Sequence, residues 1–189
     1  LPPSGGLSVI TTDRMTLRQW QQGDLAPFAE MNADPDVMEF FERPLTREET
    51  GKSFKHFSVG IEKNGFGLWA VELRQDGSFI GMIGLEPVGT ELPFGPTVEI
   101  SWRLRQNVWG QGLAPEGASA ALAYGFYECG LTDVVSMTAL VNKPSWRVME
   151  KIGMTRDMDG TFDHPKVSDG HAVKQHCLYR ISASEFKAL

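Results

Sequence analysis

The sequence predicts a mixed α/β domain built around one central sheet. Three observations carry that reading. Segments with alternating apolar and polar residues are interleaved with segments whose apolar residues recur every three or four positions, so strands and helices share one chain. The 189 residues are 41% hydrophobic and 22% charged, an ordinary globular composition with length for one domain and a real core. The one loop-rich stretch, Pro87–Pro96, is too short to separate two cores, and there is no internal repeat.

Asp13–Trp20 alternates, with Met15 and Leu17 opposite Arg14, Thr16 and Arg18, and reads as a strand. Asp24 is placed to cap a short helix through Met31, and Asn32–Pro44 follows as a loop carrying Phe40 and Phe41. Thr46 with Glu49 three residues on is a capping box, opening a helix whose Phe54, Phe57 and Ile61 share a face. Phe66–Leu73 and Ser78–Leu85 form a hairpin joined at Asp76-Gly77, a dipeptide suited to the positive φ of a tight turn. In the strand Val98–Leu104, Val98, Ile100, Trp102 and Leu104 share one face, and Glu99, Ser101 and Arg103 the other. Pro115–Cys129 is an Ala-rich helix ending at Gly130. Val134–Val141 is a strand, Ser145–Ile152 a short helix stopped by Gly153, and Ala172–Ile181 a last strand. The expected order is strand, two helices, three strands, helix, strand, helix, strand. Leu1–Ser8, with two Pro and two Gly, reads as a disordered tail, leaving 9–189 as the single domain.

A net charge of −6 with scattered Lys and Arg argues against nucleic acid as a partner. No run of about 18 apolar residues exists, so no membrane helix is expected. Two cysteines, Cys129 and Cys177, are too few for a disulfide framework and suit a cytoplasmic protein. His164, His171, His176 and Cys177 cluster late in the chain, but His176 and Cys177 point to opposite faces of one strand, so no metal site is expected.

The segment with most chemical content is Val98–Gly117, where a strand runs into a loop with Gly110 and Gly112 and then into a helix. Glycines let backbone N–H groups approach a ligand, and a helix start adds free donors and the positive end of its dipole. A pyrophosphate suits such a cradle; a plain strand-to-helix turn is the other reading. The Gly-Lys-Ser/Thr of a P-loop is absent, and the glycine spacing does not fit a dinucleotide-binding turn, which speaks against a nicotinamide-dependent oxidoreductase.

A second segment, N-K-P-S-W-R-V-M-E-K-I-G-M from Asn142 to Met154, resembles the N-x-x-S-x-x-x-x-E-K-x-G segment of the GNAT superfamily, the acyl-CoA-dependent N-acyltransferases. The glycine loop is similar to the same superfamily's pyrophosphate motif. W-G-Q-G-L-A-P-E, T-D-R-M-T-L-R, F-I-G-M-I-G-L and D-H-P-K-V-S-D-G-H resemble the branch containing the bacterial ribosomal-protein N-terminal acetyltransferases. The likeness spans Thr11–Ile181.

The resemblance implies a mostly antiparallel sheet with one splayed parallel strand pair and helices on both faces. Acetyl-CoA, as co-substrate, would lie between Val98–Leu104 and Val134–Val141. Its pantetheine arm would pair with the backbone of Trp102, Arg103 and Leu104. Its pyrophosphate would sit on amides of Gly110, Gln111, Gly112, Leu113 and Ala114, flanked by Trp109, with Asn107 at the usual Gln/Arg position. An amine acceptor, a peptide N-terminus or a small molecule, would attack the thioester directly in a ternary complex. Glu99 is the implied general base; its other reading is a solvent-facing strand residue. Many relatives carry a Tyr where Met149 stands, so Ser145 is the implied thiolate proton donor, or else a helix N-cap. Asn142 would anchor pantetheine or end the strand. Phe40, Phe41 and Trp69 would line the amine pocket or pack in the core. A homodimer is expected by family analogy alone. The rival reading is a non-catalytic acyl-CoA-binding or sensing module: Met149 and Asn107 favour it, Glu99 and the Asn142–Ser145 segment oppose it.

Overall fold

The computed structural model describes residues 8–189; the expected tail lies outside the described residues except for Ser8. The Ser8 hydroxyl donates to Gly65 O at 3.2 Å and accepts from Trp69 Nε1 at 3.3 Å.

Eight strands form one sheet: β1 Ile10–Thr11, β2 Met15–Arg18, β3 Leu68–Leu73, β4 Phe79–Val88, β5 Thr97–Leu104, β6 Asp133–Ala139, β7 Thr155–Asp163 and β8 Gln175–Ser182. Their spatial order is β1-β2-β3-β4-β5-β6-β8-β7, and every pair is antiparallel except β5–β6. A parallel pair needs a crossover, and the helix α3, Leu113–Tyr127, supplies it. Three other α-helices are described: α1 Leu25–Ala33, α2 Arg47–Asn64 and α4 Lys143–Lys151. None of the described helices is long and apolar enough to cross a membrane.

The sheet is covered on both faces. Gly117 and Gly125 bring α3 down onto Ile83 and Leu85 of β4, where an added Cβ would lie 2.5 and 2.7 Å from their side chains. On the opposite face, Arg103 of β5, registered against Met82, bonds Asn32 on α1. Trp20, Phe28, Phe57 and Phe79 pack with ring centroids 4.7–6.3 Å apart, joining α1 and α2 to the sheet through burial and favourable ring–ring geometry.

Most expected elements are present, with corrections that have physical causes. The capping box holds: Thr46 Oγ1 accepts from Glu49 N, and Glu49 accepts from Thr46 N. Asp24 does not cap α1 with its side chain; its carboxylate takes two bonds from Arg18 and one from Gln21 N, because a buried guanidinium is a stronger partner. The β3–β4 hairpin is joined through Asp76-Gly77, with Gly77 at φ +71° and Leu73 N donating to Ser78 O at 3.0 Å. β4 runs on to Val88, so Glu86 and Pro87 belong to a strand. The edge strand β7 is missing from the expected order, because T-R-D-M-D-G-T-F-D is polar and does not alternate; it pairs only with β8.

Two glycines test this packing in opposite directions. An added Cβ on Gly84 would lie 2.0 Å from Gly67 O, whereas one on Gly51 in α2 meets nothing within 4 Å. Gly84→Ala should lower Tm by roughly 5–10 °C, since backbone of β3 would have to give way. Gly51→Ala should raise it by about 1–3 °C through lost unfolded-state entropy. Thermal melts of the two variants check both signs.

Candidate active site

The site begins where β5 and β6 part. These strands register at a single pair, Glu99 with Val135, and Ser136 Oγ donates to Ile100 O at 2.9 Å just beyond. Past that point β5 runs on through Leu104 without strand pairing to β6. A cavity of about 900 Å³ opens there, bounded by the α1–α2 loop, β5, the glycine loop, α4 and the β7–β8 loop.

Gly110 and Gly112 hold φ of +73° and +76°, a left-handed conformation that side chains resist. Among the described residues, no hydrogen bond occupies the N–H groups of Gly110, Gln111, Gly112, Leu113 or Ala114. Arg14 pins the loop from outside, donating from Nη1 to Gln111 O at 2.8 Å and from Nε to Glu116 Oε2 at 2.7 Å. The result is a rigid row of free donors at the start of α3, chemically suited to a pyrophosphate. Trp109 Nε1 donates to Leu104 O at 2.9 Å, locking the strand end to the loop.

Glu99 faces the α1–α2 side of β5, as its parity requires, and lines the cavity. Burial pushes its carboxyl up to about 8, and the neighbouring Glu86 adds to the rise while Lys166 opposes it. Glu86 is the registered cross-strand partner of Glu99 and is bonded to the exposed His56 at 2.6 Å.

At the start of α4, Asn142 is the cap, not Ser145. Asn142 Oδ1 accepts from Ser145 N at 3.2 Å, while Nδ2 donates to Thr138 Oγ1 at 2.8 Å and to Ser145 Oγ at 3.1 Å. Both Asn142 amide protons are therefore engaged. Ser145 Oγ, already an acceptor, keeps its own proton free to donate. Met149, one turn along, is buried and lines the cavity with its thioether.

The other expected residues divide. Phe40, Phe41, Trp102, Arg103, Leu104, Trp109, Leu113 and Ala114 line the cavity with Gly110 and Gly112. Asn107 and Gln111 are exposed and lie outside its wall. Trp69 is fully buried, paired edge-on with Tyr124 at 5.6 Å, and away from the cavity. Its β3 position registers with Ile83, which faces α3, so it packs in the core.

Glu42 and Glu86 in the wall were not singled out in the sequence, and His164 and His176 were weighed there only as metal ligands. Glu42 accepts from Ser168 N and Oγ, strapping the α1–α2 loop to the β7–β8 loop across the cavity. His164 and His176 lie 4.8 Å apart, and burial and their mutual proximity push His164 down to about 4. Glu86 falls one residue past the expected end of its strand, so its place opposite Glu99 could not be read from the sequence. No three His, Cys, Asp or Glu among the described residues converge as a metal site.

The description Acetyltransferase (GNAT) domain matches residues 14–155. Among curated proteins, the chain is 34% identical over 149 residues to YnaD, an uncharacterized N-acetyltransferase of Bacillus subtilis (strain 168), spanning 78% of this chain and 83% of that one. It is 34% identical over 132 residues to the FsC-acetyl coenzyme A-N(2)-transacetylase of Aspergillus fumigatus, spanning 66% of this chain and 55% of that protein. Among solved structures, a GNAT-family acetyltransferase from Bacillus anthracis superposes with a TM-score of 0.77 at 28% identity, covering 94% of this chain and all of the other.

The Glu99 environment carries a stability consequence. The carboxyl ionises near 4.5 in the unfolded chain and near 8 in the fold, so between those values the folded state holds the extra proton. Its contribution is full below pH 4.5 and is lost as pH rises through 8. Wild-type Tm should therefore fall between pH 6 and pH 9, and Glu99→Gln, neutral throughout, should flatten that fall by several degrees. Equal slopes in parallel melts would contradict the buried carboxyl.

Proposed function

The chain belongs to the GNAT acetyltransferase family and is an N-acetyltransferase, and we propose that it moves an acetyl group from acetyl-CoA to a primary amine, a peptide N-terminus or a small-molecule amine, by direct attack in a ternary complex. The observation that carries the reading is a coincidence of place: the Glu99 carboxyl stands at the one registered pair of β5 and β6, at the mouth of the gap between them. The W-G-Q-G-L-A-P-E loop supports a place beside the ribosomal-protein N-terminal acetyltransferases within the family.

Acetyl-CoA, when bound, supplies the thioester carbonyl that the amine attacks. The free amides of Gly110–Ala114 suit its pyrophosphate, and the β5 backbone from Trp102 to Leu104 suits its pantetheine amides. Glu99, held near pKa 8 by burial, is matched to take a proton from an ammonium at neutral to mildly alkaline pH, directly or through one water. Glu86 beside it and the exposed His56 beyond form a polar path by which that proton reaches solvent. The amine nitrogen forms its bond to the carbonyl carbon as the carbon–sulfur bond breaks. Ser145, oriented by Asn142 Nδ2, has its hydroxyl proton free for the departing sulfur. No residue of the chain is required to form a covalent bond to the acetyl group.

CoA release measured across a panel of amines and N-terminal peptides tests the proposal. The wild-type kcat/KM should rise with pH through about 8. Glu99→Gln should lower it by roughly 10²–10⁴-fold and remove that limb. An unchanged profile would remove Glu99 as the base. Acetyl-CoA binding with no release from any acceptor would favour a sensing role.

A further inference from the structure

Arg103 occupies the opposite end of the Glu99 face of β5 and is not explained by acetyl transfer itself. It is nearly enclosed, and burial alone pushes its guanidinium down to about 10. Buried cations are ordinarily met by a carboxylate, because an uncompensated charge in a poorly solvated place is costly. Arg103 has no such partner among the described residues. Nη1 donates to the neutral Asn32 Oδ1 at 2.7 Å, the guanidinium lies 4.4 Å from the Phe41 ring centroid, and Nε is buried with no partner. Asn32 is itself held, donating from Nδ2 to Thr50 Oγ1 at 3.1 Å, so α1 and α2 together position the arginine. The side chain lines the same cavity as Glu99.

Ser101, which lies between them on the strand, lines the same cavity. Along this face the β4–β5 register pairs Glu86 with Glu99, Gly84 with Ser101 and Met82 with Arg103. Glu99 and Arg103 are four residues apart on one strand, about 13 Å between Cα atoms, with their side chains able to reach inward. One end carries two carboxyl groups and the other an unpaired guanidinium.

We infer that the acceptor is an elongated amine bearing an anionic group, a carboxylate in the first instance, with its amine at Glu99 and its anion on the unpaired Arg103 guanidinium. This rests on the acetyltransferase reading above and specifies its acceptor. A guanidinium presents a planar fork of donors that matches a carboxylate, and among the described residues Asn32 engages Nη1 while Nη2 makes no hydrogen bond. A polyamine would instead place a cation against Arg103. Phe41, stacked on the guanidinium, closes the anion end of the pocket.

The test is a series of ω-amino carboxylates, from glycine to 8-aminooctanoate, each set against its carboxamide. Spermidine and 1,6-diaminohexane serve as cationic acceptors, with CoA release as the readout. At the best chain length the carboxylate should be preferred at least tenfold in kcat/KM. Arg103→Met should bring that ratio below about three, and Arg103→Lys should keep part of it. The ratio, not the absolute rate, is the measure, so a general loss of activity does not mimic the effect. The pantetheine contact proposed at Arg103 uses its backbone and not its side chain, so calorimetric acetyl-CoA titration of Arg103→Met should give a Kd close to wild type; a large loss would make the Arg103 side chain a CoA anchor and overturn the inference. A wild-type ratio at or below one at every length would overturn it without any variant, as would a ratio that survives Arg103→Met. Acetylation of the diamines alone would sink this inference and leave the transferase standing. Acetyl-CoA binding with no release from any amine would sink both.

Discussion

The structure turns on the failure of two adjacent parallel strands to stay together. β5 and β6 share one registered pair, Glu99 with Val135, and Ser136 then bonds Ile100 O as the strands begin to diverge. Unpaired strand backbone in a protein interior is costly unless something satisfies it. Here it borders a cavity of about 900 Å³, so a ligand with amide groups can complete the sheet. The flanking elements hold the gap open. β5 is fixed on its other edge by eight registered positions along β4, and β6 by seven along β8, so neither strand can slide across to close it.

Given that gap, the remaining parts have defined places. The crossover from β5 to β6 must pass over one face, and α3 does so with its first turn aimed at the widening end. The two left-handed glycines let the chain turn from strand to helix while leaving a row of amides free, and Arg14 with Glu116 fixes that row from the outside. On the opposite face, the side chains of β5 that alternate away from α3 become the floor of the second half of the cavity. Their charges are unevenly spread, Glu99 at one end beside Glu86 of β4 and Arg103 at the other, with Ser101 between them. Under the proposed function such polarity would orient a bound acceptor before any chemistry occurs, and orientation is the source of much catalytic advantage.

Legibility in the sequence followed the range of the interaction. The Thr46–Glu49 capping box, the parity of Glu99 against Ile100, and the strand-to-helix glycine turn at Gly110 and Gly112 were all readable, because each depends on residues within a few positions. Asp24 was misread as a cap because its partner Arg18 competes through tertiary placement. Ser145 was weighed as a cap when Asn142, three residues earlier, does that work. β7 was invisible because an edge strand paired on one side needs no apolar alternation. Trp69 was weighed between the amine pocket, on the family likeness, and the core, and its register with Ile83 sends it into the α3-side core. Glu86 and Asn32 matter only through partners 13 and 71 positions away, and no local pattern announces either.

The central claim is that the gap beside β5 and the glycine loop together receive CoA. Amide hydrogen exchange with and without CoA tests that most directly, because it reads the backbone groups themselves. The account predicts new protection at Gly110–Ala114 together with Trp102–Leu104, and little change in β1–β3. Binding that leaves those amides exchanging freely, or that protects a different part of the chain, would contradict it.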